Sequence, residues 1–175
     1  MARRRRQAGS SMLEFALCGV PLIFVWISTV QMSLGMWHYH TLQYATKAAG
    51  AYMSTHGASY VQAGNTAPQI KDIANILATA AIGLPASGVN VLFTAYKSDG
   101  VTTTTHSCTL SSCETDSTTW PPTTGSYNAV GNLFEIKTEY QWQNSLAMVA
   151  PGSGGGPVKF SAFWLPGFTH QVILF

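Results

Sequence analysis

Glu14 is the ionisable residue whose position most suggests chemistry. It stands at the edge of an apolar segment, Phe15 to Trp37, that contains no Asp, Glu, Lys or Arg. A charged side chain at the centre of a membrane helix costs roughly 2.5–3.5 kcal/mol, so an intramembrane Glu is by default a functional residue with a partner. If the chain is cut after Gly9, Glu14 becomes the fifth residue of the product. Its carboxylate could then pair with the new α-amino group of a neighbouring subunit. The alternative is that Gly9 simply precedes a helix whose dipole favours a first-turn Glu.

Three cysteines form a second group of distinctive residues. Cys108 and Cys113 lie in a Ser- and Thr-rich stretch, and an oxidising compartment would join them in a disulfide that closes a small loop. Cys18 lies within the apolar segment and is expected to stay a free thiol. His106 and Glu114 could complete a metal site, but one Cys pair without a second ligand pair is not the pattern of a zinc centre. We therefore predict a disulfide, no metal and no cofactor.

The other histidines do not form a catalytic pattern. His38 and His40 are two residues apart, which places them on different sides of a helix. His56 and His170 have no Ser, Cys or carboxylate companion at an informative spacing. The sequence also lacks a Gly-rich phosphate loop, an HExxH motif and a GxSxG nucleophile turn. We expect a protein that is not an enzyme.

The apolar segment itself is long enough to cross a membrane. As a helix with about 1.5 Å rise per residue it spans a hydrocarbon core of about 30 Å, and its more polar second half places the embedded part nearer Leu13 to Leu34. Arg3 to Arg6 precede it and only Lys47 follows closely, so the positive-inside bias places the N-terminus in the cytoplasm and exports the chain after about residue 40. Pro21 removes one helical hydrogen bond and predicts a kink, which membrane helices tolerate.

Three kinds of N-terminal segment fit these features. A secretory signal cut near Ser33 to Gly35 is one, although its apolar stretch exceeds the usual 7 to 15 residues. A permanent anchor is the second, and it would make the protein a membrane-anchored periplasmic scaffold or adhesion module. The third is a segment that is cut after Gly9 and keeps its helix.

The stretch from Gly9 to Phe15, Gly-Ser-Ser-Met-Leu-Glu-Phe, favours the third kind because it resembles the type IV prepilin pattern. That pattern is a short basic leader ending in Gly, a cut after it, Glu at the fifth new position and a long apolar helix. The Glu14-Phe15 pair and the small and aromatic residues from Leu42 to Tyr52 are more specifically similar to TadE-like proteins of the tight-adherence (Flp) pilus system. The similarity covers about residues 8 to 54.

The resemblance implies a minor pilin or pseudopilin that takes part in pilus assembly. A prepilin peptidase would cleave between Gly9 and Ser10, and Glu14 and Phe15 would guide processing, subunit register or both. The implied partners are the bacterial inner membrane, the peptidase, and other pilin subunits with their assembly machinery.

Beyond the membrane segment, the pattern predicts an α+β domain with an antiparallel sheet of about three to five strands. The first helix continues to about Ser54 as a spine whose apolar side packs on the sheet, because apolar residues recur there at three- and four-residue spacing. Pro68 is expected in the first turn of a second helix. The stretch from Asp99 to Ser126 reads as a long exposed loop without core residues, with a short strand near Val101 to Thr105. The other predicted elements are a loop at 57–68, a helix at 69–82, strands at 89–96, 133–143 and 157–165, a Gly-rich connection at 151–156, and a short edge strand or docked segment at 172–175.

Composition sets the limits of the whole chain. Its 175 residues suit one small domain plus an anchor, and 9% charged residues is low for a cytosolic protein. Four of the nine basic residues are the Arg run, and the five lysines are scattered singly, so no basic face for nucleic acid is expected. We predict a leader at residues 1–9, a membrane helix and spine at 10–56, and an exported domain at 57–175.

Overall fold

The computed structural model describes residues 5–142 and 163–174 of the chain, with side chains for 12–142 and 164–174. Its longest element is helix α1, Arg5–Thr55, which confirms the predicted long N-terminal helix. The chain divides into two compact units, residues 1–36 and residues 37–175.

Short helices follow α1 in the second unit. Helix α2, Ala58–Gln62, lies where the sequence predicted only a loop, and the Ala58 N–H is held by the backbone carbonyl of Asn128. Helix α3, Ile70–Ala80, begins two residues later than Pro68, so the expectation of Pro68 in the first turn was wrong. The Asp72 carboxylate fixes that start, since it accepts from the backbone N–H of the N-cap residue Gln69 at 2.9 Å.

A four-stranded antiparallel sheet completes the α+β fold, in the order β2-β1-β3-β4. Strands β1 and β3 lie where alternation and branched residues predicted them. Strand β4 begins at Phe163, and the earlier part of the predicted strand, residues 157–162, lies outside the described residues, as do the Gly-rich connection and Gln143. The predicted C-terminal segment divides, since Val172 ends β4 and Ile173 is buried in the core. The strands are β1 Val89–Tyr96, β2 Thr103–Thr109, β3 Leu133–Trp142 and β4 Phe163–Val172.

The stretch from Asp99 to Ser126 corrects a prediction. It contains β2, which begins at Thr103 within the short strand predicted near Val101 to Thr105 but extends to Thr109, and a short helix α4, Leu110–Cys113, so it is not one exposed loop. Leu110, Cys113 and Trp120 are buried in the hydrophobic core. Thr103 to Thr109 contains β-branched residues that suit a strand paired with β1. The three buried side chains then hold the rest of the segment against the core.

The core lies between the last four turns of α1, helix α3 and the inner face of the sheet. Where α1 crosses β3 and β4, the Thr46 hydroxyl donates to the Leu42 carbonyl, and the hydroxyls of Thr46 and Thr138 lie 2.7 Å apart. Gly167 of β4 permits this approach, because a Cβ there would collide with both hydroxyls. The largest fully buried side chains are Leu42, Met53, Ile70, Ile73, Leu77, Val89, Val91, Phe93, Leu110, Phe134, Ile136 and Ile173.

Candidate processing site and membrane segment

The predicted processing site lies on one continuous helical backbone. Gly9 and Ser10 are both within α1, which is helical from Arg5, and their side-chain surroundings lie outside the described part of the chain. Glu14 and Phe15 follow on the same helix, and both side chains are exposed. The Phe15 ring lies over Gly19 one turn later, at 3.3 Å from the position a Cβ would take. The helix therefore presents a carboxylate and an aromatic ring on consecutive residues at the start of the apolar segment.

The rest of this segment has the surface of a lipid-facing helix. Its large apolar side chains are exposed almost without interruption from Met12 to Met36, and Pro21 lies inside the helix. Among the described residues, the helix Met12–Thr55 near the N-terminus is the one that is long and apolar enough to cross a membrane. By length and composition it fits a single-pass membrane protein.

The polar residues in its second half do not oppose membrane insertion. Thr29 donates its hydroxyl hydrogen to the Val25 carbonyl, and Ser33 donates to the Thr29 carbonyl, each at 2.9 Å. Hydroxyls that are bonded back to the preceding turn carry no unsatisfied donor into hydrocarbon. The embedded part can therefore include both residues.

The cysteines and histidines of the second unit take structural partners. Cys108 and Cys113 form a disulfide that links β2 to α4, with Cα atoms 5.7 Å apart, and Cys18 is exposed on α1. The His106 imidazole contacts the Asp116 carboxylate at 2.8 Å. Hydrogen bonds from Thr118, followed by the effect of His106, lower the pKa of the Asp116 carboxyl. In the described parts of the chain, no three His, Cys, Asp or Glu side chains converge as metal ligands.

The other histidines pack against aromatic rings. His38 meets the Tyr140 ring edge-on, and His40 lies beside Tyr39. His56 stacks on the Tyr52 ring at 3.9 Å between centroids, and His170 stacks on Tyr96 at 5.8 Å. His56 Nδ1 also lies 2.9 Å from the Thr55 hydroxyl oxygen and 2.7 Å from the Tyr52 carbonyl oxygen.

The N-terminal helix is also the part of the chain that a known family matches. Residues 9–50 match the family model of TadE-like proteins. The chain carries a TadE-like segment. The match begins at Gly9 and ends at Gly50 within α1, which confirms the resemblance predicted from Glu14-Phe15 and the Leu42 to Tyr52 stretch. No curated protein and no solved structure matches the chain.

One contact made by the TadE-like segment could not be predicted from the sequence. The Gln43 amide nitrogen donates to the Pro166 carbonyl at 3.0 Å, and its amide oxygen accepts from the Phe168 N–H at 3.4 Å. One side chain of α1 thus occupies part of the free edge of β4. Gln43 is more than 120 positions from Pro166 and from Phe168, so no local sequence pattern indicates the contact.

Proposed function

We propose that the chain is a minor pilin or pseudopilin of a tight-adherence pilus, processed by a prepilin peptidase between Gly9 and Ser10. The observation that carries the proposal is the TadE-like match, which starts at Gly9 and includes the whole apolar helix. A basic leader of nine residues, a carboxylate five positions after the proposed cut and an exposed apolar helix support it.

The cut changes the charge balance of the helix terminus. It removes Arg3 to Arg6 and creates an α-amino group on Ser10. Glu14 is then the carboxylate nearest to that new charge in the sequence. Burying a charged group in a bilayer or in a helix bundle costs free energy. Pairing the Glu14 carboxylate with the amino group of an adjacent subunit neutralises both charges. Glu14 would therefore set the axial register between subunits, and the exposed Phe15 would pack beside it.

The second unit has the role of an exported, non-catalytic body in this proposal. The N-terminus is cytoplasmic and residues after about 40 face the periplasm, because the Arg run precedes the span. The Cys108–Cys113 disulfide supports an oxidising compartment for this unit. Its partners are the inner membrane, other pilin subunits and the assembly machinery.

Processing is tested by the N-terminus of the protein produced with an active or an inactive prepilin peptidase. N-terminal sequencing and intact mass should show a chain that starts at Ser10 only with the active enzyme. Gly9→Val should block the cut, while the matched Ala8→Val variant is still cut. Glu14→Gln should be tested for both processing and pilus incorporation, with Glu139→Gln in the folded unit as its control.

The alternatives predict different N-termini. A chain that keeps Met1 or Ala2 beside an active peptidase is a permanent anchor, and this result refutes the proposal. A chain that begins near residue 36 is a secreted product and refutes it equally. If the Gly9→Val and Ala8→Val variants are cut to the same extent, as judged from the intact mass, the cut does not depend on Gly9.

A further inference from the structure

One end of the folded unit gathers exposed apolar and aromatic side chains from three places in the sequence. We call it the apolar end and define it by Trp37, Tyr39, Ile82 and Trp164. Trp37 and Tyr39 lie on α1, Ile82 lies in the connection between α3 and β1, and Trp164 lies near the start of β4. The exposed fractions are 48% for Trp37, 69% for Ile82 and 49% for Trp164.

Contacts show that these segments meet at the same end. The Trp37 ring packs on Gly83, since a Cβ at Gly83 would lie 2.6 Å from the ring. His38, the next residue of α1, meets Tyr140 near the end of β3. In the sheet, Tyr140 pairs with Val89 at the start of β1, and Gln141 pairs with Trp164.

Among the described residues, the two ends of the sheet differ in charge. The described stretches that meet at the apolar end, residues 37–43, 80–90, 140–142 and 163–166, contain no Asp, Glu, Lys or Arg, and the next charged residue on β3 is Glu139, which is paired with Lys137. The turn between β1 and β2 at the other end carries Lys97 and Asp99, with Glu135 on the neighbouring strand paired with Thr94. Strand β1 has eight residues, so the ends lie about 25 Å apart at roughly 3.3 Å per residue.

Trp and Tyr with an uncharged surround are the side chains that prefer the boundary between lipid and water. The position of Trp37 in α1 indicates that this boundary is the membrane surface at the C-terminal end of the apolar segment. Trp37 is three residues after Leu34, about 5 Å further along a helix, so a bilayer that takes the apolar segment meets Trp37 and Tyr39 at its surface. Because Trp37 contacts Gly83, the neighbouring Ile82 lies at a similar depth.

We infer that the apolar end rests in the headgroup region of the bilayer that α1 spans, with Ile82 and Trp164 as lipid contacts separate in sequence from the helix. The inference rests on the membrane insertion of α1 in the proposed function, and it adds an interaction surface on the folded unit itself. The turn with Lys97 and Asp99 lies at the other end of the sheet and is not part of this surface.

Spin labels at three positions of the full chain test this in lipid nanodiscs. In a Cys18→Ser background that keeps the Cys108–Cys113 disulfide, a nitroxide is attached without reductant to Val25→Cys, Ile82→Cys or Val101→Cys. Val25 marks the span, and Val101, which is 82% exposed in the distant turn, is the matched aqueous control. Power saturation compares collisions with oxygen, which concentrates in lipid, and with a water-soluble nickel complex.

The expected result is an oxygen-to-nickel ratio that is high at Val25, clearly raised at Ile82 and low at Val101. A water-like ratio at Ile82 beside a lipid-like ratio at Val25 overturns the inference and leaves the span intact. Water-like ratios at both positions overturn the span and the inference together. If the Ile82 label is shielded from both reagents, a protein or a second copy covers this end and the lipid contact is wrong.

A measurement without labels keeps the test independent of the cysteine variants. Brominated lipids quench tryptophans that touch the bilayer, so Trp164→Phe should remove part of the quenched fluorescence. The same quenched fraction with and without Trp164 would contradict the lipid contact.

Discussion

The close crossing of α1 over the sheet makes Gly167 the most sensitive small residue of the folded unit. A Cβ at this position would collide with the hydroxyl oxygens of Thr138 and Thr46 and would lie 3.2 Å from Leu42 Cγ. Overpacking in a core costs about 1–3 kcal/mol, and a disrupted buried hydrogen bond adds about 1 kcal/mol. We therefore expect Gly167→Ala to lower the free energy of unfolding by about 2–4 kcal/mol.

Urea unfolding of the disulfide-intact full chain in detergent micelles, followed by tryptophan fluorescence, measures this change. With a slope of about 1–3 kcal/mol per molar urea, the midpoint should fall by about 1–2 M. Gly88→Ala is the matched control, because the nearest atom to its Cβ is the edge of the Tyr140 ring at 3.2 Å, and it should cost far less.

The pair Gly167 and Thr138 gives the sharper test. Because the Thr46 hydroxyl already donates to the Leu42 carbonyl, Thr138 is the donor in the hydroxyl pair, and Thr138→Ala leaves no orphaned donor on Thr46. Removing the Thr138 hydroxyl relieves the closer of the two collisions, while that with the Thr46 hydroxyl remains, so the double variant should be more stable than the sum of the two single changes predicts. A Gly167→Ala cost below about 0.5 kcal/mol, or strict additivity with Thr138→Ala, would refute the packing argument.

Two further predictions concern β2 and the segment that follows it. Replacing Cys108 and Cys113 together by Ala should lower the free energy of unfolding by about 2 kcal/mol, the value for so short a loop. The control Cys18→Ala should leave the urea midpoint unchanged. Equal effects of the two changes would contradict the structural role of the disulfide. Because Thr118, and then His106, lower the pKa of the Asp116 carboxyl, its contribution to stability is present above the ordinary Asp value and is lost as pH falls from about 4 through the lower native pKa. Asp116→Asn should flatten this part of the stability profile, and an unchanged acid profile in that variant would show that Asp116 does not supply it.

Sequence patterns predicted the elements whose signal is local. The uncharged segment from Phe15 to Trp37 requires a long helix, and the alternation of β3 from Phe134 to Trp142 identifies its buried face. The Gly9 and Glu14 spacing indicated the prepilin pattern, and Glu14-Phe15 with the Leu42 to Tyr52 stretch indicated the TadE-like resemblance, because both depend on short stretches of one helix. These features needed no knowledge of distant contacts.

The rest depends on contacts that sequence distance hides. The segment with β2 and α4 looks like a polar loop because its few apolar residues are far apart, yet Leu110 and Trp120 reach the core once β2 pairs with β1. The apolar end is similar, since Ile82 and Trp164 each look like an ordinary exposed residue. The contact of Trp37 with Gly83 and the pairing of Trp164 with Gln141 place them at the same end of the unit.

The packing of α1 against β4 has a consequence for how the protein is made. The Ser54 carbonyl accepts from the Leu174 N–H, and Gly50 faces Thr169, so residues from opposite ends of the sequence close one core. A ribosome delivers Gly50 early and Leu174 more than a hundred residues later. Contacts of such long range slow folding and leave apolar surface uncovered until they form. A helix that stays in the membrane during synthesis would keep its half of the core close to the point where the rest of the chain leaves the membrane. The β4 strand could then pack on that half as soon as it emerges.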